Sequence, residues 1–394
     1  MSETMEATME AEQMLRNVEA QDNHHIQGVW DPVASSRKLT KELLKVLNLE
    51  VRNVPVRSSA RKRFRECPRK FLFEERLGLT SHKYAAALEI GSFFHELVAP
   101  LYGGMPLENI PTLVAGKVED IYKGLEKVVD PTGVLPSGTT LSDQMCEIEK
   151  DMKLSAALAA VFAKYLPPER LLENYEVVSI EKAYGVRLPR LSVPLVFQPD
   201  VLLRHKKTGL YWIVDHKTTS LKTATRAATL RFEFQPRFYQ LCLHLWLAGN
   251  NPVDEVKSEV GGYIHNIVRK PTIRQKTKSG ETLEAYVDRV HAWFQEENTL
   301  YPDDPPIVQS VVHRKGSILD EELLVAVYQT ARASSAKLNL ARFPKDDSAC
   351  FGMFGNSPCV FLKLCQNEHN LLAEWPEYIA RNFKQSWRHW EDNK

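Results

Sequence analysis

FQPDVLLRHKKTGLYWIVDHKTTS, residues 197–220, is the stretch on which the fold turns. Two apolar runs flank Lys206–Gly209, a loop whose Gly209 can supply the positive φ that a tight hairpin needs. The simplest register pairs His205 with Leu210 and puts Asp200 directly opposite Asp215. Two carboxylates facing each other across adjacent strands repel. A divalent cation between them reverses that electrostatics. Strand periodicity puts Lys217 on the same face as Asp215 and turns His216 to the other. The Trp212-Ile213-Val214 run before Asp215 should be buried and hold this strand end rigidly. Hard oxygen donors at this density suit Mg²⁺ or Mn²⁺. Such an ion can activate water and stabilise charge on a phosphoryl group, with Lys217 orienting the water or holding a phosphate oxygen. The bland alternative is an Asp–Lys surface pair at a strand end, and the opposed Asp200 weighs against it.

The rest of the chain gives this hairpin an α/β setting. The length of 394 residues allows one large domain or two ordinary ones. Hydrophobic residues at 43% and charged residues at 26% fit a globular chain. No apolar run is long enough to span a membrane, and no leader is evident, so the expectation is a cytoplasmic protein without a membrane partner. Helices are expected over 58–79, as one capped helix carrying Cys67, and over 83–102, with His95 inside. Residues from about 100 to 175 read as a helical insertion broken by DPTGVLPSGTT at 130–140. Strands are expected from 175, in the hairpin, and over 259–270. Further helices are expected over 234–248, ending at Gly249, and over the stretches beginning at Thr282 and Asp320. Helices around a central run of strands imply an α/β core. No phosphate-binding GxxxxGK[ST] loop occurs, which excludes an ATP-driven helicase half in this sequence.

Charge is balanced overall, at +1, but uneven locally. RKRFRECPRKFLFEER at 61–76 carries seven Lys/Arg against three Glu. Arg204, Lys206, Lys207, Lys217, Lys222, Arg226, Arg231 and Arg237 surround the hairpin, while the first 22 residues lean acidic. Such asymmetry suits a basic groove for a polyanion within a neutral whole, or simply a solvated surface.

Pro199-Asp200, followed after fourteen residues by Asp215-His216-Lys217, resembles the PD-(D/E)xK nuclease superfamily. GSFFHEL at 91–97 and FQPRFYQLCLHLWL at 234–247 resemble the first and last motifs of its RecB-like branch. The resemblance covers roughly residues 56–370. It leaves outside a polar N-terminal tail or short helix (1–55) and a Trp-rich helical tail (371–394) with Trp375, Trp387 and Trp390. It implies a restriction-endonuclease-like α/β core with a central mixed sheet flanked by helices. It further implies His95, Asp200 and Asp215 as metal ligands, with Asp200, Asp215 and Lys217 as the catalytic set. Gln235 and Tyr239, four apart and so on one helical face, would line the site and contact DNA.

The cysteines extend the resemblance. Cys67 precedes these motifs and Cys350, Cys359 and Cys365 follow them, the order of the AddB-type iron–sulfur staple, in which four thiolates hold a 4Fe-4S cluster. The departure is spacing: eight residues separate Cys350 from Cys359 where the family often has two. Gly352, Gly355 and Pro358 in that gap would let a loop deliver Cys350. Zinc is the competing occupant of four thiolates. Cys146 and Cys242, in predicted helices, read as core residues. The resemblance thus implies a metal-dependent DNA exonuclease acting on single strands or duplex ends, alone or beside a separate helicase or recombinase. The alternatives are a non-catalytic iron–sulfur DNA-binding subunit and a structure-specific endonuclease.

Overall fold

The computed structural model describes residues 44–386, apart from 46–48, 83–85, 189, 231, 250–258, 277–278, 314–319, 339, 352–357 and 367–370. The acidic N-terminal stretch, Trp387, Trp390 and most of the Cys350–Cys359 loop lie outside the described residues.

The hairpin is present in the expected register. Strand β5 (Val201–His205) pairs antiparallel with β6 (Tyr211–Thr219), Val201 opposite Val214 and Arg204 opposite Tyr211. Gly209 takes φ +73°, and the His205 N–H donates to the Leu210 carbonyl at 2.8 Å. One detail differs from the sequence reading. Phe197 belongs to a separate short strand, β4 (Leu195–Phe197), paired with β3 (Tyr184–Val186), so Asp200 stands at a bend between β4 and β5.

The hairpin is the middle of a five-stranded mixed sheet in the order β2-β5-β6-β7-β8. Strand β2 is Tyr175–Ile180, β7 is Val260–Arg269 and β8 is Ile307–His313. Only the β6–β7 pair is parallel. Such a pair needs a crossover, which helices α7 (Thr223–Leu230) and α8 (Phe234–Ala248) provide. Gly262, at φ +156°, is where β7 passes the Trp212 ring; a Cβ there would lie 2.3 Å from the Val312 carbonyl oxygen.

Both faces are covered, so β6 reads as a continuous apolar run, with Ile213 and Val214 fully buried. Helices α3 (Ala86–Tyr102), α4 (Ile110–Glu126), α5 (Leu141–Tyr165) and α9 (Leu283–Leu300) contribute to the core on the Val214 face. Helices α8 and α10 (Glu321–Ser335) cover the Ile213 face. A third core joins the two ends of the chain: Phe71, Phe73 and Leu79 pack with Phe343, Phe361, Trp375 and Phe383. Strand β1 (Leu79–Ser81) pairs there with β9 (Phe383–Gln385), at the end of the Trp-rich segment.

Three expectations are corrected. The single capped helix over 58–79 is broken at Cys67, because a residue before proline disfavours helical angles. Cys67 is extended, at φ −163° and ψ 113°, between helices Ser58–Glu66 and Pro68–Phe71, and Arg57 at the first helix's start makes no side-chain cap. Cys146 is exposed on α5 rather than in the core; Cys242 is buried as expected. Strand β8 was not anticipated. Among the described residues no helix is long and apolar enough to cross a membrane.

Candidate active site

The site lies where β6 runs on past the start of β5. Asp215, buried on β6, accepts from Lys217 Nζ at 2.9 Å and from Gln235 Nε2 at 3.1 Å, both on Oδ1. Lys217 reaches it because residues two apart share a strand face. Gln235 reaches it from the first turn of α8. Burial alone would raise the Asp215 carboxyl, but the Lys217 ammonium and His265 outweigh it and hold it well below the usual carboxylate range. In return Asp215 and Asp200 overcome the burial of Lys217 and keep it cationic. Tyr239, one turn beyond Gln235, is buried, which pushes its phenol upward and keeps it protonated; it interacts with Gln235 and the Gln198 backbone.

Asp200 faces a different set. Its Oδ2 accepts the His216 N–H at 2.6 Å and lies 3.1 Å from His95 Nδ1 on α3. Burial would lower His95, but Asp200 more than compensates and its pKa is raised. His216 contributes its backbone only. Its ring turns to the opposite face among Phe94, Tyr102 and Phe162, and burial holds it neutral, at about 4.

Two participants were missed by the sequence reading. The first is Glu181. Ligand atoms of His95, Glu181 and Asp200 lie within 4.8 Å of one another. Strand β2 carries a bulge between Val177 and Ser179 that shifts its register on β5 by one residue. Without it Ile180 would stand opposite Asp200; with it Glu181 does, its N–H donating to the Asp200 carbonyl at 2.9 Å. Glu181 takes φ +49°, a left-handed conformation costly for a non-glycine residue, of the kind retained at functional sites. Burial, then Asp200 and Asp215, raise its carboxyl to about 7. The second is His265 on β7, paired with Asp215 in parallel register and equally buried. Its Nδ1 lies 3.4 Å from Asp215 Oδ2, and neither atom makes a hydrogen bond. Tyr263, two residues earlier on the same face, stacks on the His265 ring at 4.3 Å.

These residues fit a hard divalent cation. Two carboxylates and an imidazole, those of Glu181, Asp200 and His95, converge on one spot, burial together with Asp200 and Asp215 forces the Glu181 carboxyl toward neutrality, and a buried carboxylate oxygen, Asp215 Oδ2, lacks a donor.

Of the four cysteines, Cys359 and Cys365 pack against the third core. The Cys359 N–H donates to the Cys350 carbonyl at 2.8 Å, and Cys365 follows on the short helix α11 (Leu362–Gln366). Burial raises the Cys350 thiol, and it raises Cys365 to about 11. Cys359 and Cys67 add to both shifts. Arg69 and Lys345 supply opposing positive charge. An anionic metal–thiolate group bound by these thiols would hold them deprotonated.

The basic stretches are less available to a polyanion than the sequence suggested. Arg63 pairs with Glu74 and Glu75. Arg69 donates to the Phe343 and Leu340 carbonyls, and Arg76 to those of Arg52, Ala333 and Ala336. Arg226 pairs with Glu233, and Arg237 with Asp320 and Glu322. The chain uses these cations to join its own elements.

Residues 58–304 match the PD-(D/E)XK nuclease superfamily. That span contains Cys67, His95, Glu181, Asp200, Asp215, Lys217, Gln235, Tyr239 and His265; it stops before Cys350, Cys359 and Cys365. No curated protein matches the chain.

Proposed function

Since the chain belongs to the PD-(D/E)XK nuclease superfamily, a family of divalent-metal-dependent nucleases, we propose that it is a DNA exonuclease acting on single strands or duplex ends. The observation that carries the reading is the convergence of His95, Glu181 and Asp200 beside the buried pair of Asp215 and Lys217. His95, Glu181, Asp200 and Asp215 would hold Mg²⁺ or Mn²⁺. Bound there, the ion supplies positive charge toward a phosphodiester and acidity toward water. Gln235 holds Asp215 in one rotamer through its amide N–H. Lys217, kept cationic by Asp215, offers an ammonium to a phosphate oxygen as negative charge builds in the transition state. Tyr239, kept protonated, retains a hydroxyl proton that it can donate to a phosphate oxygen.

Cys67, Cys350, Cys359 and Cys365 would hold a 4Fe-4S cluster that fastens the first helices to the C-terminal segment. The same junction is already tied by Arg69, Arg76 and the β1–β9 pair. In this reading a separate helicase or recombinase is the natural partner, since residues 1–394 contain no GxxxxGK[ST] phosphate-binding loop.

The test is digestion of labelled linear and circular DNA, single- and double-stranded, with Mn²⁺ or Mg²⁺. Loss of linear substrates with circles left intact supports the exonuclease. Cleavage of circles contradicts that finer reading and favours an endonuclease.

A further inference from the structure

Phe232 is the most exposed of the large apolar side chains described, at 78% of its full surface. A single exposed apolar residue needs no explanation in itself. Its position is what sets it apart. It sits three residues before Gln235, whose amide touches Asp215 at 3.1 Å. Three residues of chain span at most about 11 Å. The Phe232 backbone therefore lies within about 11 Å of the Gln235 backbone, on the turn that leads into the helix carrying Gln235.

The turn beneath it is hydrogen-bonded. The Phe232 N–H donates to the Thr229 carbonyl at 3.0 Å, and the Glu233 N–H to the Leu230 carbonyl at 3.1 Å. Arg226 on α7 clamps Glu233 from the side. The next phenylalanine, Phe234, turns toward the protein and stacks on Phe238 at 5.1 Å. Arg226 and Arg237, on either side in sequence, are both engaged in pairs with acidic residues. The turn thus presents one aromatic side chain to solvent just before the helix that carries Gln235.

We infer that Phe232 is a stacking post for an unpaired nucleobase of the strand being degraded. An aromatic face gives grip without sequence preference, because every base has a π-face. With so many arginines engaged internally, stacking would supply hold that backbone charge does not. The inference rests on the nuclease reading and deepens it: the site would prefer strands whose bases are free to unstack.

The test measures binding of fluorescent single-stranded oligonucleotides in EDTA, so that no strand is cut, to wild type, Phe232→Ala and Phe232→Trp. Oligonucleotides with one abasic position moved stepwise along the strand form the second arm. Stacking predicts that Phe232→Ala weakens binding roughly 5- to 150-fold and that Phe232→Trp matches or exceeds wild type. It also predicts one abasic position that weakens wild type by a similar factor and leaves Phe232→Ala unchanged. Unaltered melting temperatures exclude misfolding as the cause. Phe232→Ala binding within twofold of wild type, or an abasic penalty equal in both proteins, would overturn the stacking post alone. A wild type that neither binds nor cuts any DNA would overturn the nuclease reading and this inference with it.

Discussion

Replacing Glu181 by Gln separates the metal reading from a purely structural one, because it should act in opposite directions with and without metal. Glutamine keeps the size and the contact with Gln198, whose Nε2 reaches Glu181 Oε2 at 3.1 Å. It removes one of three crowded carboxylates. The Glu181 carboxyl is raised from 4.5 to about 7 by burial and by Asp200 and Asp215. A shift of that size corresponds to roughly 3 kcal/mol against the ionised form. Glu181 keeps partial contact with water, and screening reduces this to about 1–2 kcal/mol. The sign follows from proton binding. With the folded pKa above the unfolded one, the native state holds more protons between about 4.5 and 7, so stability falls as pH rises through that window. In EDTA at pH 8, Glu181→Gln should therefore melt about 1–2 °C above wild type, and near pH 4.5 the difference should vanish. With saturating Mn²⁺ the order should reverse, since wild type gains binding energy that the variant has partly lost. The assay is a set of melting curves at both pH values with EDTA or Mn²⁺. A variant that melts below wild type in EDTA at pH 8, with an equal Mn²⁺-induced rise in both proteins, would refute the placement of Glu181 in the cluster.

His265→Asn should weaken Mn²⁺ binding, followed by calorimetry, roughly 10- to 100-fold, because His265 limits the positions open to the Asp215 Oδ2 atom 3.4 Å away; unchanged affinity would make the ring a packing element only. Cys67→Ser should abolish the brown absorbance of anaerobically purified protein. Colourless wild type containing one zinc ion would replace the cluster with a zinc site. Gly262→Ala should destabilise the fold by at least about 1–3 kcal/mol in denaturant unfolding, since its Cβ would meet the Val312 carbonyl at 2.3 Å and the Trp212 ring at 2.8 Å; a variant as stable as wild type would mean the β7 edge yields easily.

What could be read in the sequence was what local geometry dictates. The four-residue turn ending in Gly209 fixes the β5–β6 register, and that register brings Asp200 and Asp215 together without tertiary information. Strand period then places Lys217, and helical period places Gln235 and Tyr239. What could not be read depends on contacts between distant segments. Glu181 comes opposite Asp200 only through one bulged residue in β2, and nothing local marks Val178 as that extra residue. His265 meets Asp215 through a parallel pairing whose register depends on the whole crossover and on the passage past Gly262. The arginines of 61–76 read as a surface stretch, because sequence does not reveal that Arg69 and Arg76 are buried on carbonyls some 250 or more residues away. Cys146 misled because an apolar-looking helix was taken as buried all round, whereas α5 turns it outward between the buried Met145 and Ile148.

The central claim is that Asp215 and Lys217 serve a metal-dependent cleavage. The most direct test is the rate at which end-labelled linear DNA is degraded in Mn²⁺ by wild type, Asp215→Asn and Lys217→Ala, with melting curves confirming that all three are folded. The account predicts rapid loss of label with wild type and none in EDTA. Both variants should be slowed roughly 100- to 1000-fold or more. Folded variants that degrade DNA as fast as wild type would contradict it.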